Sequence, residues 1–267
     1  QLREVGNPSY ADSLHRYLYK YGRAHRKLKD AAAGTAAAER IYALVAERGN
    51  PNNELEALFD LSWTYYDVGE MQQCARVDSI AVRVADGSNE VPIAQQGRAR
   101  QYLAFDHSII GDHQRSAHWA LSALEVYAKA DSIKPVQWAE SYTAVGAAYW
   151  HLGRIRAAED NYHKALTALG DGTDVATLMR KISAYGNLGV LWQNAGDLPK
   201  AKAHYHISLR LNDQVVATAQ DPFTRDEAVV SRSRTYLNLA TVYFQLGDES
   251  HARELLQLAW KDRSSVL

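Results

Sequence analysis

The chain has 267 residues, of which 46% are hydrophobic, and its formal net charge at pH 7 is −1. A charge so close to zero argues against a general nucleic-acid-binding protein, because such proteins need a basic surface. The single cysteine, Cys74, excludes an internal disulfide, and no hydrophobic run approaches the roughly 20 residues that span a bilayer. We therefore expect no membrane insertion, and a cytoplasmic location rather than export after signal cleavage.

Six similar segments follow one another along the chain, at approximately residues 9–48, 54–86, 92–130, 136–170, 174–217 and 226–263. The first is the least regular: a Tyr- and Leu-rich stretch at 10–29 precedes Ala38, Tyr42 and Val45 at helical spacing. Internal repeats of this length predict one supersecondary unit that is stacked several times. Proline is rare and the alternation typical of strands is missing from the sequence, so each unit is predicted to be helical.

A glycine lies between the two halves of five segments, and successive glycines are 42, 42, 43 and 51 residues apart. They are Gly69, Gly111, Gly153, Gly196 and Gly247. Glycine tolerates the left-handed conformation in which helices end, and the Asp that follows three of them suits the start of another helix. Each segment is therefore predicted to be a helix–turn–helix hairpin. The longer last step carries an insertion at 212–227, predicted to be a helix extension followed by a loop at Asp221-Pro222.

Small and large apolar residues recur at helical spacing after the last three glycines. In the fourth segment they are Ala158, Tyr162 and Ala165, and the fifth and sixth segments repeat the pattern at 201, 205 and 208 and at 252, 256 and 259. Residues three or four apart share one face of a helix. A small residue lets a neighbouring helix approach, and the large residue fills the space beside it.

Aligned in this way, the fourth segment resembles a tetratricopeptide repeat. The matching residues are Tyr142, Val145, Gly146, Tyr149, Gly153, Ala158, Tyr162 and Ala165. A step near 42 residues, rather than the roughly 34 of the commonest unit, is similar to the arrays of kinesin light chains, of bacterial quorum-peptide receptors and of the modules that precede CHAT-type proteases or histidine kinases. The resemblance implies an all-α fold, a right-handed α-solenoid of antiparallel helix pairs with about six repeats, as a single domain over residues 1–267.

The resemblance also implies where a partner binds, because the first helix of each tetratricopeptide pair lines a concave groove. Asn187 and Asn238 occupy the same groove position in the fifth and sixth segments. A side-chain amide can donate to and accept from an extended peptide backbone at once. Both asparagines are therefore predicted to bind a peptide, although a hydrogen bond to the neighbouring helix would explain them as well.

Aromatic side chains occupy further groove positions in the second, third and fourth segments. They are Trp63, Tyr66, Phe105 and Trp150. Aromatic residues are typical anchors of binding surfaces, but they can also fill the space between neighbouring first helices. The remaining predicted groove residues in the fifth and sixth segments are Gln193, Asn194, Arg234, Phe244 and Gln245.

The sequence offers little sign of catalysis. His204 and His206 are two residues apart, so a helix directs them to different sides. The chain has no His-Glu-x-x-His, paired-cysteine or phosphate-loop pattern. We therefore expect a protein that is not an enzyme and that has no metal and no cofactor.

Three functions fit these features. The first is a scaffold that holds a protein or peptide segment in its groove, including a segment of its own chain. The second is a regulatory or sensor domain of a larger enzyme, such as a CHAT-type protease or histidine kinase, with its catalytic part beyond Leu267. This alternative is suggested by residues 255–267, which lack the polar capping helix that solenoids need for solubility. The third is a structural or oligomerisation spacer.

Overall fold

The computed structural model describes residues 31–266, and all regular secondary structure in that range is α-helical. The predicted first helix at 10–29 lies outside the described residues. The chain divides into two compact units, residues 1–131 and 132–267. Each unit consists of helices that pack against their neighbours in the sequence, so the predicted all-α architecture of stacked helix pairs is confirmed.

The first unit contains helices α1 to α5. They span Ala31–Ala46, Pro51–Asp67, Met71–Asp86, Ile93–Ile110 and His113–Tyr127. Each helix contacts the next, and α2 with α3 and α4 with α5 form the hairpins of the second and third segments. Cys74 of α3 is buried between the packed helices.

The second unit contains helices α6 to α11. They span Pro135–His151, Ile155–Leu169, Val175–Asn194, Leu198–Thr218, Pro222–Gln245 and Glu249–Ser265. The pairs α6–α7, α8–α9 and α10–α11 are the hairpins, and the first helices of successive hairpins also contact one another.

The insertion at 212–227 consists of a helix extension, a short loop and the start of the next helix. It lengthens α9 to Thr218, as expected, and residues 219–221 form the loop before α10. The side chain of Asp221 accepts a hydrogen bond from the backbone N–H of Thr224, and Pro222 opens the helix. A capping Asp followed by a first-turn proline starts a helix, so the loop ends at Asp221 and Pro222 belongs to α10.

The turns within the hairpins follow their predicted chemistry. All five predicted glycines have positive φ, for example 82° at Gly196. Asp197 then caps α9, its carboxylate accepting a hydrogen bond of 3.1 Å from the backbone N–H of Lys200. Asp112 and Asp248 cap α5 and α11 in the same way. These contacts satisfy backbone groups that helix ends leave open.

Glycines inside the helices let the two helices of a hairpin approach each other. Gly146 of α6 lies against the fully buried ring of Tyr162 of α7. A Cβ atom added to Gly146 would lie 2.7 Å from Tyr162 Cε1, which is too close for carbon atoms in contact. Gly189 of α8 has the same relation to Tyr205 of α9.

The sixth segment departs from this packing at its large residue. Ala252 and Ala259 of α11 are buried as predicted, but Leu256 is 49% exposed. In the described part of the chain, α11 packs mainly against α10. Leu256 therefore does not fill a helix interface as Tyr162 and Tyr205 do.

Candidate functional site

Five aromatic side chains form one cluster in the first unit, between helices α2 and α4. We call Phe59, Trp63, Tyr66, Tyr102 and Phe105 the aromatic cluster. The ring of Trp63 contacts three others, with centroid distances of 5.4 Å to Tyr66, 5.8 Å to Tyr102 and 6.4 Å to Phe105. The structure thus brings together Trp63, Tyr66 and Phe105, three of the predicted groove residues.

Two members of the aromatic cluster are well exposed for such large side chains, Trp63 at 43% and Phe105 at 42%, whereas Phe59 is buried. It also holds a cation at one edge. The guanidinium carbon of Arg98 lies 4.9 Å from the ring centroid of Phe59 and 5.2 Å from that of Tyr102. Cations are attracted to aromatic faces at such distances.

Two carboxyl groups lie beneath the aromatic cluster, on Asp78 of α3 and Asp106 of α4. Asp78 is 1% exposed and Asp106 is 3% exposed. Ser62 donates a hydrogen bond of 2.9 Å to Asp78 Oδ2. The two carboxyl groups are close enough for the ionisation of one to affect the other. We call these two residues the acid pair.

Burial shifts the proton affinity of the acid pair. Loss of hydration raises the pKa of Asp106 to about 7. Burial and the neighbouring charge of Asp106 raise the pKa of Asp78 well above its usual range. The pair therefore carries no net charge in acid and gains a negative charge near pH 7.

The acid pair predicts a pH-dependent stability. A carboxyl group with a raised folded-state pKa binds more protons folded than unfolded, so stability falls as the pH rises from about 4 to about 7. Asp106→Asn keeps an acceptor for Asp78 but cannot ionise. We expect the free energy of unfolding of this variant to exceed that of the wild type by about 2 kcal/mol at pH 8 and by little at pH 4. Urea unfolding measures both.

Asp131→Asn, at an exposed position, is the control and should leave the pH profile unchanged. The same stability difference between wild type and Asp106→Asn at both pH values would contradict the assigned raised pKa.

In the second unit, Asn187 and Asn238 lie at equivalent places on α8 and α10, which contact each other. Both side chains are half-buried. Within residues 31–266, neither side-chain amide is hydrogen-bonded to another residue. The alternative explanation, a bond to the neighbouring helix, therefore finds no support in the described residues.

Three other predicted groove residues of this unit already have contacts. Trp150 packs against the buried cluster that contains Leu188 and Leu191. Gln193 Oε1 accepts a hydrogen bond of 2.9 Å from the Tyr205 hydroxyl, and Asn194 donates to the carbonyl of its own helix at Val190. These contacts give Trp150 and Gln193 a part in helix packing.

The remaining predicted groove residues lie on α10 and are accessible. Arg234 and Gln245 are exposed, and Phe244 is 65% exposed. Together with Asn238 they place a cation, an aromatic ring and amides on one helix.

A metal site and a membrane span were also sought in the described part of the chain. Residues 31–266 contain no group of three or more His, Cys, Asp or Glu side chains that could hold a metal ion. No helix in the same range combines the length and the apolar character that a bilayer span requires.

Family profiles of the tetratricopeptide repeat match the sequence at residues 139–168 and 233–267. The first stretch covers most of α6 and α7, and the second covers the second half of α10 and all of α11. Both stretches are tetratricopeptide repeats. A comparison with curated proteins yields no match.

Solved tetratricopeptide structures share the fold at low sequence identity. BtubC (BKLC) of P. vanneervenii is 20% identical, with a TM-score of 0.67 over 90% of this chain and 91% of its own. NprR in complex with its cognate peptide NprX is 16% identical, with a TM-score of 0.62 over 92% and 66%. A STAND protein with a tetratricopeptide sensor, PH0952 from Pyrococcus horikoshii, is 15% identical, with a TM-score of 0.64 over 94% and 36%.

Sequence reasoning missed four residues of the aromatic cluster and the acid pair, namely Phe59, Tyr102, Asp78 and Asp106. A signal for one of them was present. Asp78 stands where the second helix of a tetratricopeptide repeat carries a large buried residue, as Tyr162 does in the fourth repeat. A carboxyl group at a buried position needs a partner, and the structure supplies Ser62 and Asp106.

Proposed function

We propose that this tetratricopeptide array binds an extended peptide or protein segment, and that Asn187 and Asn238 hold its backbone. The observation that carries the proposal is the pair of half-buried amides at equivalent positions of two neighbouring helices. Both amides are without a hydrogen-bond partner among the described residues, and a peptide backbone offers both the donor and the acceptor that an amide can use.

Side chains around the two asparagines suit the same role. Arg234 lies one helical turn before Asn238 on α10 and is exposed, and Phe244 is exposed further along the same helix. Arginine and aromatic residues are enriched among the residues that dominate binding energies. The similarity to NprR, whose structure contains its cognate peptide NprX, agrees with a peptide as ligand.

The test is a selection of random peptides on the wild-type chain, followed by affinity measurements with one enriched peptide. Asn187→Ala combined with Asn238→Ala removes two amides that each bond the backbone. We expect the double variant to lose about 30-fold or more in affinity, measured by fluorescence anisotropy, with an unchanged circular dichroism spectrum.

The matched control combines Gln214→Ala with Gln257→Ala. Both amides are exposed on the second helices of the same hairpins, α9 and α11. The control should bind like the wild type. An enriched peptide that binds the asparagine variant with wild-type affinity would reject the role of Asn187 and Asn238.

A second function is a regulatory or sensor domain of a larger enzyme. The structural similarity to the tetratricopeptide sensor of the PH0952 protein favours it. The gene that encodes this chain decides the matter, because a stop codon directly after Leu267 would reject this alternative.

A further inference from the structure

A pocket opens in the first unit, with the aromatic cluster as its walls and the acid pair as its base. It is lined by Ser62, Trp63, Tyr66, Asp78, Tyr102, Phe105 and Asp106. The hollow measures about 220 Å³ with the solvent at its mouth, and the space between the side chains holds about one water-sized group. The base therefore fits a small head group and not a ring.

The walls of the pocket favour a positive charge. Trp63, Tyr66, Tyr102 and Phe105 contribute four rings, and the faces of aromatic rings attract cations. The aromatic cluster already holds one cation at its other edge. There Arg98 stacks on Phe59 and Tyr102 and donates hydrogen bonds of 2.8 and 2.9 Å to the Tyr102 hydroxyl.

The base of the pocket favours a positive charge as well. The lining contains two carboxyl groups and no basic side chain. Asp78 Oδ1 and Asp106 Oδ2 are buried and have no hydrogen-bond partner among the described residues. A buried carboxylate gains most from a partner that is both charged and able to donate hydrogen bonds.

We propose that this pocket binds the ammonium group of a lysine side chain on the peptide that the array holds. An ammonium group is compact and carries three donors, whereas a guanidinium group is a wide planar fork. The water-sized space at the base therefore selects lysine over arginine. This inference rests on the proposed function, since it names a feature of the bound peptide.

Binding of an ammonium group is linked to the ionisation of the acid pair. Besides its own two carboxyl groups, the acid pair has three titratable groups beside it. They are the Cys74 thiol on α3 and the phenols of Tyr66 on α2 and Tyr102 on α4. Burial raises the pKa of Cys74 to about 12, so the thiol stays neutral. Between pH 6 and 8 the pair gains its negative charge, so binding becomes tighter.

The test uses small probes on the whole chain, with the indole N–H signal of Trp63 as the readout. Nα-acetyl-lysine amide is compared with the norleucine amide, which lacks the ammonium group, and with the arginine amide. We expect saturable binding of the lysine probe in the millimolar range, with the other two at least about tenfold weaker. Trp63→Phe identifies the signal.

The pH dependence gives a second measurement. The lysine probe should bind about fivefold tighter at pH 8 than at pH 6. Asp106→Asn should remove that difference, and Asp131→Asn should retain it. Equal binding of the norleucine probe, tighter binding of the arginine probe, or no saturation below about 50 mM lysine probe would each overturn the proposal.

The two proposals fail separately, because the pocket lies in the first unit and the asparagines in the second. No effect of the lysine probe, together with peptide binding that depends on Asn187 and Asn238, would reject the pocket and keep the proposed function. Saturable binding of the lysine probe without any enriched peptide would reject the proposed function and, with it, the assignment of the bound ammonium group to a peptide, leaving only a pocket for ammonium groups.

Discussion

Replacing Arg232 with methionine is expected to lower the free energy of unfolding of the second unit by about 3–5 kcal/mol. Arg232 of α10 forms a two-point ion pair with Asp262 of α11, at 2.7 Å from Nε and 2.8 Å from Nη2. Nη1 lies 2.8 Å from Asp213 of α9. One guanidinium group thus connects three helices, and its loss leaves the carboxylate of Asp262 buried without a counter-charge.

The size of this effect follows from the burial of the partner. Asp262 is 8% exposed, so water cannot replace the lost cation, whereas the exposed Asp213 regains hydration. Adding Asp262→Leu to Arg232→Met should restore much of the stability, because a buried ion pair can be replaced by apolar residues. Arg253→Met, at an exposed site on α11, is the control. If urea unfolding gives the same free energy of unfolding for Arg232→Met as for Arg253→Met, the assigned role of Arg232 is contradicted.

The turns of this fold could be predicted from the sequence because their signals are local. Gly196 and Asp197 determine the end of one helix and the start of the next by their own backbone and side-chain chemistry. The same rules apply at Asp221-Pro222, where Asp221 ends the short loop and caps α10, and Pro222 opens that helix.

The candidate site was only partly predictable. The repeat alignment placed Trp63, Tyr66 and Phe105 on groove positions, because those positions follow from helix periodicity. The ring contacts between them depend on how α2 and α4 are packed side by side. The acid pair depends in addition on the register of α3 against α4, which no local pattern reports.

Which of the predicted groove residues already have a hydrogen-bond partner could be determined only from the structure. Asn187 and Gln193 occupy neighbouring groove positions of one helix and look equally free in the sequence. The structure shows that Gln193 accepts the hydroxyl hydrogen bond of Tyr205, whereas Asn187 has no such partner among the described residues. The difference arises because the side chain of Tyr205 extends from α9 to Gln193 and not to Asn187.

Two glycines on α8, three residues apart, are expected to respond oppositely to the same substitution. Gly189→Leu should lower the free energy of unfolding by about 3 kcal/mol. Its side chain would have to enter the space that the buried ring of Tyr205 fills. Gly186→Leu should be neutral or raise it by up to about 1 kcal/mol, since a Cβ at that position meets nothing within 4 Å and leucine favours the helix over glycine.

The comparison separates packing from helix propensity, because both variants gain the same propensity on the same helix. Urea unfolding followed by circular dichroism measures both. Replacing Tyr205 with alanine in the Gly189→Leu variant makes room for the leucine, so the double variant should cost less than the sum of the two single changes. Additive costs, or equal effects at the two glycines, would show that the contact between Gly189 and Tyr205 does not limit the approach of α8 and α9.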